Sequence, residues 1–177
     1  MEKNNNRFNN IIKDLKSNDT EKVLTAIKQL RLHGQKEAIA EVLAVFIETT
    51  NEEIKKSITN LLFDLKSEDS VLPIIKAIND KKYASIKAFL ISIFWQSSLD
   101  ASEYLNTFIR LAVKGDYNTC LEIFTVIESF DSSFDEEQIQ DAIYDIEEKL
   151  DDYEIDEEFR KLLYLLKDVV SNLPTEF

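Results

Sequence analysis

The chain has 177 residues, 44% of them hydrophobic, and a formal net charge of −13 at pH 7. Two Gly and two Pro are too few for the many turns of a β-sandwich or barrel, and a single Cys excludes an intramolecular disulfide and a multi-thiolate metal site. The first ten residues hold no apolar stretch, and the longest apolar run, residues 88–95, is far shorter than the roughly 20 residues that span a bilayer. We therefore expect one domain over residues 1–177, monomeric, cytoplasmic and without membrane association.

Apolar residues recur at helical spacing along the chain, and almost no strand is expected. This spacing predicts ten helices, over residues 7–16, 20–33, 36–49, 51–65, 69–79, 81–96, 100–114, 117–129, 135–150 and 156–172. Two glycines, Gly34 and Gly115, each follow a basic last turn and are expected to end a helix in the left-handed conformation. Three pairs show the pattern of a capping box: Thr50 with Glu53, Ser133 with Glu136 and, more loosely, Asp100 with Glu103.

The helices are also periodic as pairs. First helices of successive pairs begin near residues 20, 51, 81 and 117, which indicates a repeat of similar length throughout. Residues 50–80 resemble a HEAT-type helical repeat of the short bacterial kind, with a polar turn at 51–53, a Leu-rich first helix and a second helix opened by Pro73. Residues 80–114 fit this pattern less well.

The resemblance implies an all-α fold, a right-handed α-α superhelix like those of HEAT and armadillo proteins. About four helix pairs would stack between two end helices, which need polar outer faces. In such a stack the second helices line a concave face, and most relatives use that face to hold another protein. The resemblance names no partner.

Catalytic and metal-binding patterns are sparse in this sequence. The single histidine, His33, is expected to be a cation at a helix end, and Cys120 a small core residue. His33 precedes Gly34, so the His-Glu pair by which some relatives bind iron is missing, and two isolated glycines form no phosphate-binding loop. We therefore predict no metal, no cofactor and no catalytic residue. The alternative is an enzyme of unrecognised type, perhaps carboxylate-based, on the same scaffold.

Charge is the feature that stands out. Residues 131–158 contain fourteen carboxylates and one lysine, so this segment accounts for the whole net charge. In the predicted helix 135–150, Ile139, Ile143, Ile146 and Leu150 share one face. Opposite them is a predicted acidic stripe with adjacent tyrosines: Glu137, Asp141, Tyr144, Asp145, Glu148, Asp152 and Tyr153.

Three interpretations of the acidic stripe are possible. It is a solvated face that maintains solubility, or a surface that attracts a basic protein or peptide, or, less favoured, a site for a divalent cation. Nucleic acid is not an expected partner, because phosphate is repelled here and no basic cluster compensates elsewhere.

The predicted helix 81–96 is apolar on two sides, with Ile91 and Trp95 almost opposite Phe89 and Ile93. Burial between neighbouring helix pairs accounts for both faces. The alternative is that Ile91 and Trp95 are exposed and anchor a partner helix. Together these patterns favour a non-catalytic interaction scaffold. Its candidate partner-binding residues are Glu137, Asp141, Tyr144, Asp145, Glu148, Asp152 and Trp95.

Overall fold

A computed structural model of the protein describes residues 2–33 and 36–176. These residues are all-helical, with 78% helix, and form ten α-helices as predicted. The helices are α1 (Glu2–Leu15), α2 (Thr20–His33), α3 (Ile39–Glu48), α4 (Glu52–Phe63), α5 (Val71–Asn79), α6 (Lys87–Gln96), α7 (Leu105–Lys114), α8 (Tyr117–Glu128), α9 (Glu136–Leu150) and α10 (Glu157–Ser171). The predicted helix end at Gly34 and the predicted role of the His33 side chain lie outside the described residues.

The chain divides into two compact units. The N-unit comprises Met1–Ile86 with Gln96–Leu99, and the C-unit comprises Lys87–Trp95 with Asp100–Phe177. Short turns of 3-10 helix precede several α-helices, at Lys36–Ala38, Glu68–Ser70, Lys81–Ile86 and Ser102–Tyr104. The expectation of one domain stays a prediction.

In the N-unit, helices pack mainly against the next helix but one, and two consecutive pairs also pack together. The pairs in contact include α1 with α2 and α3, α2 with α4, and α3 with α4 and α5. Amphipathic periodicity explains this arrangement, because each helix buries one apolar face between two neighbours; Ile58, Leu62 and Ile74 are fully buried. Polar links join positions one predicted repeat apart: Arg31 with Asp64, Lys36 with Asp69, and the Ser98 N–H with the Leu65 carbonyl.

In the C-unit, too, helices contact near neighbours along the chain: α7 contacts α8 and α9, and α10 contacts α8 and α9. A row of aromatic rings runs through its core. Phe94 meets Phe108 edge to face with ring centroids 5.5 Å apart, Phe108 lies 6.3 Å from Phe130, and Phe130 lies 5.9 Å from Phe134. Such pairs contribute stability beyond the area they bury.

Three predicted helices are wrong at their starts: α1 begins at Glu2, α6 at Lys87 and α7 at Leu105, instead of at residues 7, 81 and 100. The difference is largest at α6. Residues 81–96 do not form one α-helix: Lys81–Ile86 is an irregular 3-10 segment in which Tyr83 departs from helical geometry, and α6 begins at Lys87. The Asp80 side chain accepts the Lys82 N–H at 2.9 Å, which forms a local turn. That turn places the Tyr83 ring in the core, so burial of the ring is associated with the interrupted helix.

The predicted caps are also corrected. Asn51, not Thr50, caps α4, because its Oδ1 accepts the N–H groups of Glu53 and Ile54. Asp135, not Ser133, precedes α9, and its N–H is bound by the Gln138 side chain at 3.2 Å. The sequence pattern therefore locates the starts of α4 and α9 within two residues but assigns the wrong capping side chain to both.

At Gly115 the expectation of a left-handed conformation is wrong. Its φ is −87°, which any residue can adopt. A Cβ added there would lie 2.7 Å from the Leu111 carbonyl oxygen and 2.8 Å from Thr119 Cγ2. Glycine is needed because the α7–α8 turn brings the chain too close for a side chain.

Among the helices of the described residues, none has both the length and the apolar character needed to cross a lipid bilayer.

Candidate functional site

The acidic stripe lies on α9. Its inward face is made by Ile139, Ala142, Ile146 and Leu150, all buried, with Ile143 half-buried beside them. Glu137, Asp141, Tyr144 and Glu148 are exposed on the other side of the helix. We call these four residues the acidic surface. Asp145, also predicted to be exposed, is half-buried at its edge.

Among the described residues, no lysine or arginine forms an ion pair with the acidic surface. The lysines nearby in sequence form ion pairs with other carboxylates: Lys149 with Asp152 at 2.8 Å, Lys161 with Glu157 at 2.8 Å, and Lys167 with Glu147. Within the described part of the chain, Glu137, Asp141 and Glu148 have no ion-pair partner. Their charges are therefore directed entirely to solvent or to a bound molecule.

Asp152, also predicted to bind a partner, instead stabilises the turn between α9 and α10. Its carboxylate accepts hydrogen bonds from Lys149 Nζ and from the Glu154 N–H, at 2.8 and 2.9 Å. The hydrogen bond from Lys149 is the main reason that the pKa of the Asp152 carboxyl is lowered. Arg160 completes the turn, donating to the carbonyl oxygens of Leu150 and Asp152.

Tyr153, at the tip of the same turn, is 98% exposed. The α9–α10 turn thus has a fixed backbone and a free aromatic side chain. The sequence signal for this arrangement is weak, because Arg160 lies eight positions after Asp152 and on another helix.

Trp95 and Ile91, the other two candidate residues for partner binding, differ in their exposure to solvent. Ile91 is fully buried, so the hypothesis that it anchors a partner is wrong. Trp95 is 38% exposed, and its Nε1–H donates to Glu122 Oε2 on α8 at 2.8 Å. Sequence reasoning missed Glu122, since nothing in the chain marks a contact 27 positions away.

Other chemically capable groups have structural roles. Burial raises the pKa of the Cys120 thiol to about 12, so at neutral pH it is a protonated core side chain. The pKa of Asp116 is lowered, chiefly by the hydrogen bond from the Thr119 N–H at 2.8 Å that caps α8. Among the described residues no cluster of three or more metal-ligating side chains occurs.

A groove in the N-unit was not predicted. It encloses about 1000 Å³ between α2 and the turns that follow α2 and α4, over an apolar floor that includes Leu30, Ile39 and Leu61. Its rim is polar, but the ion pairs of Arg31 with Asp64 and Lys36 with Asp69 neutralise much of the charge there. The groove therefore indicates no particular ligand.

Chemically, the acidic surface and the Trp95–Glu122 pair both suit positively charged groups, which bind to carboxylates and over indole rings. The lowered pKa values of Asp116 and Asp152 keep these two carboxyls ionised, unlike the raised values typical of a carboxyl general acid. No known protein family, curated protein or solved structure matches the chain.

Proposed function

We propose that the protein is a non-catalytic binding module that holds a basic protein or peptide on its acidic surface. The observation that carries this proposal is a set of exposed carboxylates on α9, Glu137, Asp141 and Glu148. None of them pairs with a cation of the described residues, although lysines are close in sequence. Lys149 and Lys167 neutralise other carboxylates, so the folded chain concentrates unpaired negative charge on one helix.

The scaffold proposed for this surface is a HEAT-like solenoid of helix pairs. Support comes from packing within each unit, where helices contact the next but one along the chain, as α2 does α4 and α7 does α9. Further support comes from side-chain links between equivalent turns: Asn51 Nδ2 donates to Thr20 Oγ1 across 31 positions, and Ser102 Oγ to Ser132 Oγ across 30. Stacked units with contacts only to their neighbours are typical of repeat proteins.

Electrostatics determine how such a surface would act. The C-unit contains 21 acidic and 7 basic residues, whereas the N-unit contains 13 acidic and 14 basic residues. A strongly negative surface raises the rate of encounter with a basic partner and affects dissociation less. Screening over ~8 to 10 Å at physiological salt should weaken this attraction. We therefore expect association to depend steeply on ionic strength.

The test compares three baits in extracts of the cells that make the protein: wild type, Glu137→Gln/Asp141→Asn/Glu148→Gln, and a matched control, Glu48→Gln/Glu53→Gln/Glu68→Gln. Both variants lose three exposed carboxylates, but the control changes only the N-unit. Captured proteins are quantified by mass spectrometry at low and at physiological ionic strength. Association rates of the purified partner are then measured for all three.

The expected result is a basic protein that wild type and the N-unit control capture equally and that the α9 variant captures poorly at low salt. Rates for the three proteins should converge as salt rises. If the three baits retain the same proteins at the same rates, the acidic surface is only a solvated face and the proposal is wrong.

A further inference from the structure

Trp95 is the only tryptophan of the chain, and it is partly exposed at the surface of the C-unit. The hydrogen bond from its Nε1–H to Glu122 Oε2, 2.8 Å long, fixes the indole against α8. The preceding residue, Phe94, is buried and meets Phe108 edge to face. Because Phe94 is held in the core, the end of α6 cannot easily rotate to bury Trp95. Its exposure is therefore a fixed property of the fold.

Glu122 has spare hydrogen-bonding capacity. Its carboxylate accepts the indole N–H through one oxygen, and the described residues place no cation within ion-pair distance of it. A carboxylate beside an exposed indole, with no cation of its own, is a suitable site for a positively charged group.

Resting on the proposed function, we propose that Trp95 and Glu122 bind the guanidinium group of an arginine side chain of the basic partner. A guanidinium is planar, so it can stack on an indole and at the same time donate hydrogen bonds to a carboxylate. Tyr117 and Leu121, exposed on the same helix as Glu122, offer apolar surface for the methylene groups of the arginine. Lysine fits less well, because its ammonium group is compact and strongly hydrated.

The single tryptophan makes this proposal directly measurable. Hexaarginine and hexalysine peptides are titrated into the full-length protein, and binding is followed by Trp95 emission and by calorimetry. The test variant is Glu122→Gln, in which the amide oxygen can still accept the indole N–H but the charge is lost. The matched control is Glu128→Gln, which removes one exposed carboxylate from the same helix. Circular dichroism checks that each variant is folded.

We expect hexaarginine to change the Trp95 emission and to bind more tightly than hexalysine. Glu122→Gln should weaken hexaarginine binding by about two- to fivefold, the range for the loss of one exposed ion pair while the contact with the indole is kept. Glu128→Gln should change it by less than about 1.5-fold, the effect of one distant charge screened by solvent.

The alternative results separate two failures. If hexaarginine binds by calorimetry but Trp95 emission is unchanged and the two variants bind equally, the arginine site is wrong while the acidic surface remains a binding surface. If hexaarginine does not bind to wild type in low salt by either measurement, both this site and the proposed attraction of basic partners are wrong.

Discussion

The two units differ in the balance of their charges. In the N-unit, acidic and basic residues are nearly equal in number, and ion pairs link residues far apart in sequence, Arg31 with Asp64 and Lys36 with Asp69. In the C-unit, a row of phenylalanine rings runs from Phe94 to Phe134, and side-chain contacts such as Lys167 with Glu147 link its helices. Carboxylates there outnumber cations threefold.

This difference shows how a folded chain can retain unpaired charge. Three carboxylates of the C-unit, Glu147, Asp152 and Glu157, form ion pairs with lysines. The unit has three times as many carboxylates as cations, so others, such as Glu137, remain available to solvent or to a partner. In the N-unit the two kinds of charge are nearly equal, and ion pairs neutralise part of its surface. We therefore expect the two units to respond differently to core, turn and surface substitutions.

The largest effect is expected at Phe108, which is fully buried and contacts both Phe94 and Phe130. Phe108→Ala should lower the free energy of unfolding by about 3 to 5 kcal/mol, through lost burial and the cavity left behind. Phe108→Leu should cost roughly 1 to 2 kcal/mol, since most of the volume is kept. Urea unfolding followed by Trp95 fluorescence measures both. Equal costs for the two variants would mean that aromatic contacts do not join the C-unit.

Gly115 should be the next most sensitive position. Gly115→Ala places a Cβ against the Leu111 carbonyl oxygen and Thr119 Cγ2, and one of them must move. We expect a loss of about 1 to 3 kcal/mol, the range for overpacking a close contact. Adding Thr119→Ser, which removes Cγ2, should recover part of that loss. No loss in Gly115→Ala would show that the α7–α8 turn opens freely.

Asp116 provides a pH-dependent test in the same turn. Its pKa is lowered from 3.8 by the Thr119 N–H, so the ionised cap stabilises the fold above that pH. Asp116→Ala should cost about 1 kcal/mol at neutral pH. As the pH falls below about 4 and through the lowered pKa, wild type should lose this advantage.

Asp116→Asn is the control for this prediction, because Asn caps helices about as well as Asp but does not titrate there. Its stability relative to Asp116→Ala should be nearly constant with pH. Thermal unfolding of the three proteins at neutral and acidic pH distinguishes the cases. A wild-type advantage that persists unchanged at the acidic end would mean that the charge of Asp116 contributes nothing.

The ten helices could be predicted because most of them bury one apolar face, and the spacing of their apolar residues shows that face in the local sequence; α6, apolar on two sides, is the exception. The inward face of α9, with Ile139 and Ile146 buried, follows the same rule. The start of α6 could not be predicted, since it depends on the Asp80 turn and on burial of Tyr83. The local sequence of residues 81–86 favours a longer α-helix, but burial of Tyr83 in the folded chain outweighs that preference.

The candidate site was predictable in part for a similar reason. Exposure of Glu137, Asp141 and Glu148 follows from their place opposite the apolar face. The engagement of Asp152 by Lys149 and the contact of Trp95 with Glu122 are specific side-chain geometries, and the second joins two helices. Periodicity gives the direction of a side chain but not the partner that meets it.

A smaller effect is expected from the ion pair of Arg31 with Asp64 in the N-unit. Both side chains are about half exposed. Exposed pairs contribute roughly 0 to 1 kcal/mol, and salt screens them. Arg31→Met, which keeps an unbranched side chain, should therefore cost less than about 1 kcal/mol in low salt and less still in high salt. A double-mutant cycle with Asp64→Asn isolates the coupling, and a coupling above about 2 kcal/mol would contradict this description of the N-unit.

The smallest effect is expected at the acidic surface itself, where neutralisation should leave the free energy of unfolding almost unchanged. Glu137 and Asp141 lie four positions apart on α9, and removing such like-charge repulsion gains a few tenths of a kcal/mol. Glu137 also lies in the first turn, where a negative charge is favourable by a similar amount, so the two effects nearly cancel in Glu137→Gln/Asp141→Asn/Glu148→Gln. Chemical denaturation at low and high salt measures the balance. A loss above about 1 kcal/mol would show that these carboxylates hold the C-unit together, and weaker partner binding by the same variant would then reflect unfolding rather than lost attraction.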